Sequence, residues 1–82
     1  MSSEVAYFAQ QDKKGTWFIA IGSTAGWSFV NPDTDLGCPC KDEQHAKAIA
    51  ALANYEYAGI TPGEASDRLL KWTSQRLRKG DR

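Results

Sequence analysis

Two spacings of apolar residues divide the chain. Up to Val30 they come as short runs separated by turn-forming residues, and from Lys41 onward they recur at helical intervals. The first run, with β-branched, aromatic and small residues, predicts a strand over 5–10, and Gln11-Asp12-Lys13-Lys14-Gly15 suits a hairpin loop ending in glycine. Thr16-Trp17-Phe18-Ile19-Ala20-Ile21 supplies the returning strand, 16–21. Gly22-Ser23-Thr24-Ala25-Gly26 is a flexible turn into a third strand, 27–30. Asn31-Pro32-Asp33-Thr34-Asp35-Leu36-Gly37 is turn chemistry throughout, so the sheet should stop at three strands.

Beyond it, alanines at 46, 48, 50, 51, 53 and 58 predict a helix over about 42–58, closed by Gly59, with Ile49 and Leu52 as its larger apolar residues. Small side chains let such a helix lie close on a sheet already crowded with rings. Thr61 as N-cap, Pro62 in the first turn, Glu64 completing Thr-x-x-Glu and Gly80 at the far end predict a second helix over about 62–79. Ala65, Leu69, Trp72 and Leu77, with Leu70 beside them, form its apolar stripe. The expectation is an α+β fold: a three-stranded antiparallel β-meander followed by two α-helices packed on the sheet through Ile49, Leu52, Leu69 and Trp72.

With 82 residues and 41% hydrophobic content the chain is one small domain, and a two-domain enzyme is excluded. No apolar run approaches the roughly 20 residues that span a bilayer, and Met1-Ser2-Ser3-Glu4 lacks a secretory signal's pattern. A soluble, cytoplasmic protein without a membrane partner is expected. The net charge of zero hides segregation. Residues 1–30 balance; 31–67 set Asp33, Asp35, Asp42, Glu43, Glu56, Glu64 and Asp67 against Lys41 and Lys47; 68–82 set Arg68, Lys71, Arg76, Arg78, Lys79 and Arg82 against Asp81. The basic end either steers the molecule toward an acidic partner or complements the macrodipole of its own helix.

Cys38, Cys40 and His45 form Cys-x-Cys-x4-His, three metal-capable side chains to which Asp42 or Glu43 would add a fourth. There is no second ligand pair at a distance, so reduced thiols are the default, with a strained disulfide and a metal site as alternatives; no cofactor is expected. Asn31-x-Asp33-x-Asp35 with Asp42 at the twelfth position imitates a calcium loop, yet Leu36 occupies the sixth position, where such a loop needs glycine. No nucleophile stands in a recognisable setting beside the lone His45, and no glycine-rich loop joins a strand to a helix, so catalysis is not expected.

The aromatic residues carry more. Tyr7-Phe8 and Trp17-Phe18 are adjacent pairs, and neighbours on a strand point to opposite faces, so both faces carry rings. Rings left uncovered by the helices would mark a partner or homodimer surface, with Tyr7, Trp17 and Trp27 as its candidates. Ala58-Gly59-Ile60-Thr61-Pro62-Gly63-Glu64-Ala65 is similar to the turn of a helix-turn-helix, though Tyr55 and Arg68 stand where that pattern expects a small and an aliphatic residue. Arg68, Lys71, Arg78 and Arg82, with Gln75, recur on one helical face and would be the phosphate contacts of a nucleic-acid-binding alternative.

Over residues 5–79 the order of elements, a three-strand meander and then helices, resembles small single-domain proteins encoded by phages and mobile elements, including inhibitors of the anti-CRISPR type. The resemblance is architectural and carries over no functional residue. It implies a non-catalytic inhibitor or regulator that occupies a surface of a larger protein complex.

Overall fold

The computed structural model describes residues 5–23 and 26–80, and the side chains of these up to Trp72. Three strands, β1 (Ala6–Gln11), β2 (Trp17–Ser23) and β3 (Gly26–Phe29), form an antiparallel sheet in the order β1-β2-β3. Helix α1 (Glu43–Ala53) runs into a wider π-helical turn, Asn54–Ala58, and helix α2 (Pro62–Gly80) follows. This is the expected α+β meander with two helices on it.

Asp12 closes the first hairpin. Its carboxylate accepts the Lys14 and Thr16 amides, each at 2.9 Å, while Gly15 takes a φ of 91° that other residues rarely adopt. The register sets Ala6 opposite Gly22, Phe8 opposite Ala20 and Gln10 opposite Phe18. The second hairpin is tighter than expected. Gly22 and Ser23 continue the ladder to Trp27 and Gly26, so β2 is longer than 16–21 and β3 begins before residue 27. A Cβ on Gly22 would lie 3.0 Å from Phe8, 3.2 Å from Trp27 and 3.2 Å from Trp72, which is why glycine continues the strand there.

The acidic loop winds on itself. Asn31 accepts the Asp33 amide on Oδ1 at 2.9 Å, and its carbonyl accepts the Thr34 hydroxyl at 2.8 Å and amide at 3.1 Å. A 3-10 turn, Asp35–Gly37, then folds back so closely that a Cβ on Gly37 would collide with the Asn31 carbonyl oxygen.

Helix α1 starts one residue later than expected because Asp42 is its cap, its carboxylate accepting the His45 amide at 2.8 Å. The helix lies on the sheet through small residues. Ala46, Ala50 and Ala53 are buried, Ile49 is partly buried, and Ala46 and Ala50 join Ile19 and Cys40 in a core to which Tyr7, Ala9, Trp17 and Val30 add. Leu52 does not pack on the sheet, being 60% exposed, and Leu70 of α2 is likewise outside. The reason is angular: Leu52 lies about 200° around the helix from Ala50, on the outer side of the alanine seam. In α2, Ala65 and Trp72 are buried with Ala6 and Ile60, and Leu69 packs beside them. Thr61 caps α2 as expected, accepting the Glu64 amide at 3.1 Å, but the Glu64 carboxylate turns to Arg68 instead of completing the box.

The ladder directs the N–H and C=O of residues 5, 7, 9 and 11 away from β2, leaving β1 an edge strand. Asn54 meets that edge. Its Oδ1 accepts the Tyr7 amide at 2.6 Å and its Nδ2 donates to the Tyr7 carbonyl at 3.0 Å, so a buried side chain substitutes for two groups of a neighbouring strand. The Asn54 carbonyl also accepts the Gly59 amide, with Gly59 left-handed at φ 67°, and the Ile60 amide at 3.0 Å. One residue both stops the first helix and holds it on β1.

Replacing Asn54 with leucine removes both bonds to Tyr7 and should lower unfolding free energy by about 2–5 kcal/mol; aspartate, which keeps only the acceptor, should also destabilise the protein, because the Tyr7 carbonyl then faces a carboxylate. Urea denaturation of the two variants checks this. Gly22→Ala should cost about 1–3 kcal/mol by the same measurement, because rings and not solvent meet the added methyl.

Candidate functional site

Alternation along the strands sorts the rings. Tyr7 and Trp17 share the face of Ala9 and Ile19, which α1 covers, and both pack against the core that α1 forms with the sheet. Phe8, Phe18, Trp27 and Phe29 share the other face with Gln10, Ala20, Gly22 and Ala6, the last buried under Ile60, Ala65 and Trp72. Of the three expected partner-binding rings, therefore, only Trp27 is on the open face, and Tyr7 and Trp17 serve the interior.

The four open-face rings form a chain of edge-to-face contacts. Centroids are 5.8 Å apart between Phe18 and Phe29, 5.2 Å between Phe29 and Trp27, and 5.8 Å between Trp27 and Phe8. Trp72 from α2 closes one end of the row at Gly22. Trp27 is 38% and Phe29 40% exposed, while Phe8 and Phe18 are half-buried beneath them. None of the strand residues on this face is charged or a proline. Sequence inspection missed Phe8, Phe18 and Phe29. The signal was present in the Asp12–Gly15 turn, since fixing that hairpin's register groups Phe8 with Phe18, but choosing the covered face requires knowing where α1 lands.

The Cys-x-Cys-x4-His residues do not converge. Cys38 is exposed and Cys40 is buried beside Ile19, Ala46 and Ala50, both as free thiols. Cys40 is drawn inward because its amide donates to the Trp17 carbonyl at 2.8 Å, extending the sheet by one bridge. His45 spends Nδ1 on the Lys41 amide at 3.0 Å, completing the cap that Asp42 begins. Among the described residues no group of three or more His, Cys, Asp or Glu side chains could hold a metal ion. Burial, and then the neighbouring Cys38, push the Cys40 thiol above its ordinary value of 9.0.

The basic stripe is divided. Arg68 donates Nη1 to the Val5 carbonyl at 2.8 Å and pairs through Nη2 with Glu64 at 3.4 Å, so its guanidinium is committed to the edge of β1. Lys71 is exposed; the side chains of Gln75, Leu77 and Arg78, and the whole of Arg82, lie outside the described residues. The three residues Gly59, Ile60 and Thr61 join the two helices, but the first turns of α2 present Glu64 and Asp67, which repel phosphate where a recognition helix would approach it.

A groove of about 410 Å³ opens where β1, α1 and α2 meet, lined by Tyr7, Ala9, Ala50, Ala65 and Leu69. Its polar lining is Asn54, already bonded to Tyr7, with Lys47 and Ser66. No helix among the described residues is long and apolar enough to cross a membrane. Comparison of the chain with protein-family models, with curated proteins and with solved structures finds no match.

Because the folded chain holds its Cys40 proton more tightly than the unfolded chain, stability should be unaffected by this group below about pH 9 and should fall as pH rises through the folded value. Urea midpoints at about pH 8 and about pH 10 should therefore differ less in Cys40→Ala than in the wild type. In native protein an alkylating agent should modify Cys38 first, with Cys40 reacting on unfolding.

Proposed function

We propose that the chain is a non-catalytic binding protein that engages a protein partner through the open face of its sheet, acting as an inhibitor or regulator by occupying a surface of a larger complex. The observation that carries this reading is the continuous row Phe18, Phe29, Trp27 and Phe8 on the side of the sheet away from α1. Aromatic anchors surrounded by uncharged neighbours are what the buried centres of protein interfaces are made of. If each ring presents roughly 200 Å², the exposed parts of Trp27 and Phe29 amount to about 160 Å², and covering them would contribute about 4 kcal/mol before the costs of association. Nucleic acid is disfavoured as the occupant of this face, since its strand residues offer no cation to meet phosphates.

Affinity capture from a cell extract, with and without nuclease, using wild type and a Trp27→Ser/Phe29→Ser variant, tests the reading. A protein retained by wild type after nuclease and lost by the variant is expected, with a fall in affinity of about thirtyfold or more if both rings are anchors. Circular dichroism should show the variant folded, because both side chains already reach solvent. Retention by the variant would exclude the aromatic face. Loss of every wild-type partner after nuclease would overturn the protein-binding reading in favour of α2, where Lys71→Glu and Arg78→Glu would then abolish binding.

A further inference from the structure

The two edges of the sheet are finished differently. On β1 the outward carbonyl of Val5 is taken by Arg68, and the outward amide and carbonyl of Tyr7 by Asn54. On β3 the Val30 amide donates inward to the Ile19 carbonyl at 3.0 Å, which fixes the alternation: Ser28 faces β2, and the N–H and C=O of Trp27 and Phe29 point outward. Those groups have no bonding partner among the described residues. Gly26-Trp27-Ser28-Phe29 carries no charge, proline or bulge, so of the features that normally blunt an exposed edge it has only its shortness.

We propose that β3 pairs antiparallel with β3 of a second copy of this chain about a twofold axis at Ser28. The strand is self-complementary in that register. Trp27 would face Phe29 of the partner subunit and Phe29 the partner's Trp27, each pair exchanging both main-chain hydrogen bonds, while Ser28 meets the partner's Ser28 in the closer, non-bonded position. A small hydroxyl suits that close approach. Trp27 and Phe29 point to the same face in both copies, so the two rows of rings become one across a six-stranded sheet. Neither β3 nor the β2 residues paired with it carry a charge to repel the twin, and the chain's net charge is zero. A four-residue strand is short beside the about 20–30 residues that each side of a standard interface supplies, so the dimer is reversible and concentration-dependent.

This inference does not rest on partner capture by the rings, and a substitution at Ser28 separates the two, since Ser28 is exposed and lies on the opposite side of the strand from Trp27 and Phe29. Sedimentation velocity over a concentration series should show wild type passing from monomer to dimer. Ser28→Lys, which sets two ammonium groups against each other on the axis, should move that midpoint to about tenfold higher concentration or beyond, leaving the circular dichroism spectrum and partner capture unchanged. In a Cys38→Ser background, Ser28→Cys should form a disulfide-linked dimer on mild oxidation, because non-bonded antiparallel neighbours lie within the reach of that bond. A wild type that stays monomeric at every concentration would overturn the proposal. So would a dimer indifferent to Ser28→Lys whose Ser28→Cys form does not cross-link, since both results would place the contact elsewhere.

Discussion

The edge of a β-sheet carries amide groups that must be paired or hydrated, and at Tyr7 the carboxamide of Asn54 meets that demand where a fourth strand would otherwise lie. A carboxamide has one acceptor and donors in a plane, as a peptide group has, so it can answer both groups of a strand residue at once. The arrangement fixes how far α1 extends along β1. It also explains the wider turn after Ala53: the chain leaves the helix with the Asn54 carbonyl satisfied by Gly59 and Ile60 and its side chain aimed at the sheet. The orientation of α1, the direction of α2 and the closure of one sheet edge thus share a residue. Asparagine is a poor helix former, and it interrupts an alanine-rich run here because of that geometry.

Once α1 occupies one face, the other face is defined by exclusion. Helix α2 packs chiefly along β1 and the end of α1, and it covers one end of the open side, where Ala65 and Trp72 enclose Ala6 and Trp72 meets Gly22. Phe8, Phe18, Trp27 and Phe29 satisfy one another through edge-to-face contacts but remain partly wet. Protection of β1 and exposure of β3 follow from the same limitation. Two helices on a three-stranded sheet supply one well-covered layer and one dressed edge.

The strands and helices were legible from alternation, turn residues and caps, because those signals act over a few residues: Asp12 and Gly15 at the hairpin, Asp42 and Thr61 at the helix starts, Gly59 at the stop. What depended on packing was not. Leu52 looks like a core residue by composition, yet the alanines face the sheet and leucine faces water. Adjacent aromatic residues announce that both faces carry rings without saying which face a helix covers, so Tyr7 and Trp17 were indistinguishable from Phe8 and Phe18. Arg68 belongs by spacing to a basic stripe, but a carbonyl 63 residues away in sequence claims it. Cys38, Cys40 and His45 are close in sequence, and the bridge to Trp17 with the cap at Asp42 turns them apart.

The alanine seam of α1 has a consequence for the entropy of folding. Ala46, Ala50 and Ala53 have no rotamers to lose on burial, and Ile19 is the one large side chain among the described residues that is almost wholly enclosed. Ordering the three seam alanines therefore costs backbone freedom alone, and the side-chain entropy lost in this core is that of Ile49 and the sheet residues. A small domain with little apolar surface to bury gains from spending so little on side chains. The same economy leaves no slack, since alanine against a sheet cannot change rotamer to admit a larger neighbour.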